Sequence, residues 1–369
     1  MYKAKIIITT LICILTGIFL SVDIGAESGN YGIDKLYDAV PDSAKTYIDE
    51  KNIMPDGSGI SDLKLEDVLN YVISLIKDNI KRPASMFLSI TGVIILTSLL
   101  EGFTNSTNTS VSTALSLVST LSATIIISSY LSDSLDDINA AISSASNFTL
   151  TYIPVLAGVI AVGGHTSTAA VFSSVMMVSV EILMQITANI LFPMTSCIIG
   201  ISAAGGLNKD LNIDKLGEGI KKIIVWGLGF SMTIFIGFLT LQSNITASAD
   251  SVGLRAARFA VSTSVPFVGS AVSDALSTVK TSIEVLKSGI GSFGIITGAC
   301  VLFPVLINAV CYKLFLFISG ILCDIFGTSD AGRMIKCGEN ALSIVISMLI
   351  CMFLFITIST TLMLLICRN

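Results

Sequence analysis

Charge, histidine and tryptophan are scarce in this chain. Of 369 residues, 13% are Asp, Glu, Lys or Arg against 53% hydrophobic, and there is one histidine, His165, and one tryptophan, Trp226. A single histidine leaves no His-Glu-x-x-His zinc pair, and no Gly-x-x-x-x-Gly-Lys phosphate loop occurs. The eight cysteines, at 13, 197, 300, 311, 323, 337, 351 and 367, never form Cys-x-x-Cys. They mostly sit in apolar sequence, which argues for small buried residues over a metal site or a disulfide framework. The net charge of −5 is spread over short loops, so nothing resembles a nucleic-acid surface, and no cofactor motif is present. The one enzyme arrangement available pairs His165 with Ser167. Nothing in the sequence supplies an acid to orient it, so the chain is not expected to be an enzyme.

What is present in quantity is apolar sequence. Mean hydropathy is +0.85, and several runs approach or exceed the ~20 residues that span a bilayer. The expected class is an all-α polytopic membrane protein. Lys3 and Lys5 precede an apolar run from Ile6 to Leu20 and a more polar stretch to Ala26. That pattern fits a signal peptide over 1–26, with an uncleaved anchor as the competitor. Residues 27–84 carry much of the acid and tyrosine and read as a small helical extracytoplasmic segment. Within it Leu65, Val68, Leu69, Val72, Ile73, Ile76 and Ile80 fall on one helical face. So short a segment buries little core, so this face should pack on the membrane or on a partner.

Proline is also rare, and its placement is informative. Beyond Pro83 only Pro154, Pro193, Pro266 and Pro304 remain, in pairs 193 − 154 = 39 and 304 − 266 = 38 residues apart. Leu191-Phe192-Pro193 and Leu302-Phe303-Pro304 repeat one motif. Because proline removes a backbone donor and clashes with the preceding turn, the pattern predicts two related units, about 113–208 and 222–322, each with broken helices. In the first unit Gly163-Gly164-His165-Thr166-Ser167-Thr168 is too polar for a lipid-facing helix centre, so a re-entrant hairpin with its tip at Gly163 and Gly164 is expected. A span over Ala169–Ala203 should then be interrupted at Pro193.

The remaining spans are read at Ser85–Leu100, Ala114–Leu131, Ile223–Leu241, Ile290–Leu322 and Ala341–Ile366. Two amphipathic pieces are expected to lie in the interface. One follows Asp133, Asp136 and Asp137 and presents Leu135, Ile138, Ile142 and Ala145. The other, Ser251–Val261, carries Arg255 and Arg258, and Gly269 follows in the Pro266 motif. With one hairpin and two crossings per unit plus the Ser85 span, five crossings result, or seven if each hairpin crosses.

Two further charges stand out against apolar surroundings, Glu181 and Lys313. A charge at membrane depth costs at least ~2.5 kcal/mol, so each lines an interior, snorkels or shares a hydrogen bond. For Glu181 the partner in reach is Gln185, one turn on.

Arg255-Ala-Ala-Arg258-Phe, Ser264-Val-Pro266-Phe-Val-Gly269, Asp274, Lys287-Ser-Gly289 and Gly291-Ser-Phe-Gly294 together resemble the stage III sporulation protein AE family. The likeness covers nearly all of the chain and is most specific from Gly253 to Asp324. It implies a component of the secretion-like channel, or feeding tube, that joins mother cell and forespore, placed in the mother-cell membrane around the forespore. The implied partners are the other products of the stage III sporulation operon and a forespore membrane protein; homo-oligomerisation is left open. The family implies no catalytic residues. On the residues alone, a self-contained secondary transporter with a midplane site at the broken helices is the alternative.

Overall fold

The apolar runs become helices far longer than one bilayer. A computed structural model describes residues 33–60, 63–104, 109–205, 213–264 and 269–366. The expected signal peptide and Pro266 lie outside the described residues. Among those described there are no strands, and the helices run in order as α1 (Ile33–Asp38), α2 (Asp42–Glu50), α3 (Leu65–Asn79), α4 (Lys81–Thr104), α5 (Thr109–Val162), α6 (Thr166–Ile186), α7 (Phe192–Gly205), α8 (Ile213–Ser264), α9 (Gly269–Phe326) and α10 (Ser329–Ile366). Six helical stretches are long and apolar enough to cross a membrane. The chain is a polytopic all-α membrane protein.

The proline breaks are where expectation and structure part. α5 runs through Pro154 and α9 through Pro304 without interruption. Each proline frees one carbonyl four residues back, and inside an apolar bundle neighbouring groups tolerate that loss without a break. Among the described prolines beyond Pro83, only Pro193 perturbs its helix. Just before it a π turn covers Thr187–Leu191, and the Phe192 N–H donates to the Thr187 carbonyl, one residue wider than the α pattern. Proline cannot close the bond to Asn189, so the ladder widens by one residue and α7 resumes behind it.

The first amphipathic piece is likewise no separate interfacial helix. Asp133 to Ala145 is the middle of the 54-residue α5. Its apolar face was read correctly, since Ile138, Ile142 and Ala145 are buried, but what covers them is protein rather than lipid. The second piece is also continuous with its long helix, the 52-residue α8, which contains Arg255 and Arg258; their side chains lie outside the described residues. Gly269 opens α9.

Close pairs fix the register of the bundle. Along α9 and α10, Gly291 meets Leu364, Gly298 meets Ile356, the tilted rings of Phe303 and Phe353 lie 5.1 Å apart, Gly320 meets Ile335 and Gly332 meets Cys323. All five fit one antiparallel register. α8 runs parallel to α10, with Lys221 bonded to Asn340 at 3.0 Å and Phe235 stacked on Phe355 at 4.4 Å. α4 runs parallel to the end of α9, pairing Phe87 with Phe315 at 5.4 Å and Ser98 with Phe326 at 3.4 Å. Two cores result. One holds Tyr152, Phe293, Val301 and Ile356; the other holds Met86, Ile90, Leu131, Tyr312 and Leu316.

Residues 33–60 and α3 lie along the flank of this bundle. Leu36, Ala44, Ile48 and Ile53 join the first core, and the turn at Gly57 sits directly on the backbone of Gly289. A Cβ at Gly289 would overlap the Asp56 carbonyl, so this close approach needs glycine. α2 and α3 are tied by Lys51 to Asp67 at 2.7 Å and by the Tyr47–Tyr71 ring pair at 4.1 Å. That pairing hydrogen bond raises the Lys51 pKa and lowers that of Asp67. α3 covers only part of its apolar arc: Leu75 is buried, while Val68, Leu69, Ile73, Ile76 and Ile80 remain exposed.

Candidate functional site

Two polar levels stand out along the bundle. The first is the hairpin tip. α5 ends at Val162, Gly163 and Gly164 turn the chain, and α6 begins at Thr166. Gly164 has φ 92°, a left-handed conformation that side chains resist. A Cβ at Gly163 would press on the Ile160 carbonyl at 3.2 Å and on Ile283 of α9 at 3.3 Å. The sequence-predicted glycines therefore do form the turn.

The first turn of α6 is capped from a distance. Asp250 of α8, only 4% exposed, accepts the Ser167 N–H at 3.0 Å, the Thr168 N–H at 2.9 Å and the Thr168 hydroxyl at 2.6 Å. A helix start carries unsatisfied N–H groups and positive dipole, so a carboxylate there is stabilised. Burial pushes the Asp250 pKa up, and the bonds from Thr168 and Ser167 together outweigh it, leaving the carboxyl below its ordinary value. Asp250 was not found by sequence reasoning. Its only signal there was an acid following the polar stretch after Gln242, and its partners lie 82 and 83 positions away. Ser167 is engaged by Asp250 through its backbone, and the His165 carbonyl accepts the Ala169 N–H at 2.9 Å.

The second level is a belt of charge. Arg82 at the start of α4 meets Asp137 of α5 at 3.6 Å, and Tyr312 lies within electrostatic reach of Arg82, Tyr130, Asp133 and Asp137. On neighbouring helices Glu339 senses Lys313, Lys221 and Lys336, while Lys221 also donates to Asn340. The bundle register brings these residues of α4, α5, α8, α9 and α10 to one height. Lys313 thus belongs to a shared polar level. Between this belt and the hairpin tip lies the apolar face of α8, with Trp226 69%, Phe230 52%, Ile234 55% and Phe238 51% exposed. Lys222 to Leu241 measures about 30 Å at 1.5 Å per residue, the thickness of a hydrocarbon core.

Glu181 does not enter either level. Gln185 donates to it at 3.2 Å, and Asn189 donates to Gln185 at 2.8 Å, making an exposed ladder along α6 that ends in the π turn. The expected Gln185 partner is present, in an exposed row. Among the described residues no group of three His, Cys, Asp or Glu could hold a metal ion.

Comparison with known proteins gives three findings. A family model described as stage III sporulation protein AE matches residues 48–366. A protein of that name from Bacillus subtilis (strain 168) is 28% identical over 178 residues, 47% of this chain and 45% of the relative, so the alignment spans under half of the relative's length. No solved structure matches.

Proposed function

Because the chain belongs to the stage III sporulation protein AE family, whose name places it in sporulation, we propose that it is the membrane-embedded pore or scaffold subunit of a conduit joining mother cell and forespore. It would sit in the mother-cell membrane around the forespore and act with other stage III sporulation proteins and a forespore membrane partner, without chemistry of its own. The observation that carries this reading is a bundle of six stretches long and apolar enough to span a membrane, within a family model covering residues 48–366.

Purification in mild detergent from sporulating cells is the test. Stage III sporulation proteins should copurify, and vesicles containing this chain alone should not accumulate solute. Ion-coupled uptake into such vesicles would overturn the reading and favour a self-contained transporter.

A further inference from the structure

We infer that a second copy of this chain covers one of two apolar tiers stacked along the bundle, the tier that the bilayer leaves outside. The footing is height, read from the register of the helices. Phe235 of α8 stacks on Phe355 of α10, and the adjoining Ile356 meets Gly298 of α9, so Phe235 stands level with about residue 299 of α9. α8 runs antiparallel to α9. Ile223 and Leu241 therefore stand near 299 + 12 = 311 and 299 − 6 = 293. α4 runs parallel to α9 with an offset of 315 − 87 = 228, set by Phe87 against Phe315 and kept by Ser98 at Phe326. Its Leu88 and Leu99 stand near 316 and 327.

The two tiers therefore follow one another without overlap. One is the exposed face of α8, from Ile223 through Trp226, Phe230, Ile234 and Phe238 to Leu241. The other joins Leu88, Leu96 and Leu99 of α4 to Leu314, Phe317 and Ile325 at the end of α9, all exposed. Together they rise over 327 − 293 = 34 residues of α9, about 51 Å at 1.5 Å per residue. A ~30 Å hydrocarbon layer holds about 40 Å of rod even at a tilt of 40°. Each tier contains a stretch apolar enough to cross a membrane, Lys215–Gln242 in one and Lys81–Leu100 in the other, yet no single placement holds both. Two stacked bilayers do not fit either. Only about 7 Å separates the levels of Ile223 and Leu88, where two facing headgroup layers need roughly 10–15 Å.

One tier is thus left to protein, because a patch of this size is rarely left to water. Each tier exposes roughly 800 Å² on the residues named, at ~200 Å² for a whole large side chain, which is what one side of a standard interface requires. A second copy fits the requirement. Copies in one membrane sit at one depth, so the uncovered tier of each stands level with the same tier of its neighbour, and both are covered by a single contact.

The test places a benzophenone amino acid at Leu96 and, separately, at Phe230 of the full chain, coexpressed with a differently tagged copy in sporulating cells. Where either position unfolds the chain, Leu99 or Ile234 carries the probe. After irradiation, mass spectrometry separates adducts with lipid, with the other tagged copy and with other proteins. One tier should give lipid adducts, and the other should give adducts between copies at least ten-fold more often than the first. Lipid adducts at both positions overturn the inference. So does a lipid-free tier captured only within its own chain, only by another protein, or by nothing. The inference does not rest on the conduit reading: adducts between copies without copurifying sporulation proteins would cost that reading alone.

Discussion

The stretches between Pro154 and Pro193 and between Pro266 and Pro304 begin with the same sequence plan and end in different structures. After Pro154 the helix continues to Val162, turns at Gly163 and Gly164, and returns as α6. In the second stretch α9 runs from Gly269 through Pro304 to Phe326 in one piece. The difference lies in what surrounds the prolines. The first stretch has paired glycines, one with φ 92°, and a carboxylate that caps the new helix. The second has glycines at 289, 291, 294 and 298, which serve close packing: Gly294 receives the ring of Tyr152 and Gly291 the side chain of Leu364. Proline in an apolar bundle thus marks a weak point, and a break needs both a left-handed turn and a cap for the exposed N–H groups.

The largest effect on this contrast should come from Asp250→Ala. It removes three hydrogen bonds to a charged acceptor and leaves buried N–H groups of α6 unsatisfied, a loss of about 3 kcal/mol. Thermal unfolding in detergent should show a lowered midpoint, with new protease cleavage near Gly164; unchanged stability would remove the cap from the account. Gly164→Val should cost about 1–2 kcal/mol by forcing a branched side chain into the left-handed region, read by the same cleavage assay.

A pH titration comes next. Asp250 has a folded pKa below its unfolded value, so its stabilisation is full above the unfolded pKa and fades as pH falls through the folded one. Protection of the hairpin should therefore weaken on acidification below about pH 4, and Asp250→Asn should flatten that dependence. The smallest effects belong to the prolines. Pro193→Ala should restore a regular ladder, seen as slower amide exchange over 187–193, while Pro154→Ala and Pro304→Ala should change stability by under about 1 kcal/mol. A large loss at Pro304 would show that proline does shape the second stretch.

Much of this was legible in the sequence. The all-helical class, the apolar stripe of Ile138, Ile142 and Ala145, and the turn at Gly163 and Gly164 follow from periodicity and from the left-handed conformation that glycine, unlike other residues, adopts freely. What covers each stripe was not legible. Leu135 to Ala145 could have met lipid or protein with the same spacing, and only the fold decides. Conversely the stripe of α3 keeps Val68, Leu69 and Ile73 exposed. Asp250 escaped notice because capping across 82 residues has no local pattern, and Lys313 looked isolated because its companions arrive on four other helices.

The length of α9 carries a mechanical consequence. Its 58 residues make a rod of about 87 Å, and even a tilt of 40° lets a ~30 Å hydrocarbon layer hold only about 40 Å of it. Roughly half the rod must therefore stand clear of lipid. A load applied at Phe326 would reach the far end of the molecule through an unjointed strut, so displacement on one side of the membrane would be felt on the other.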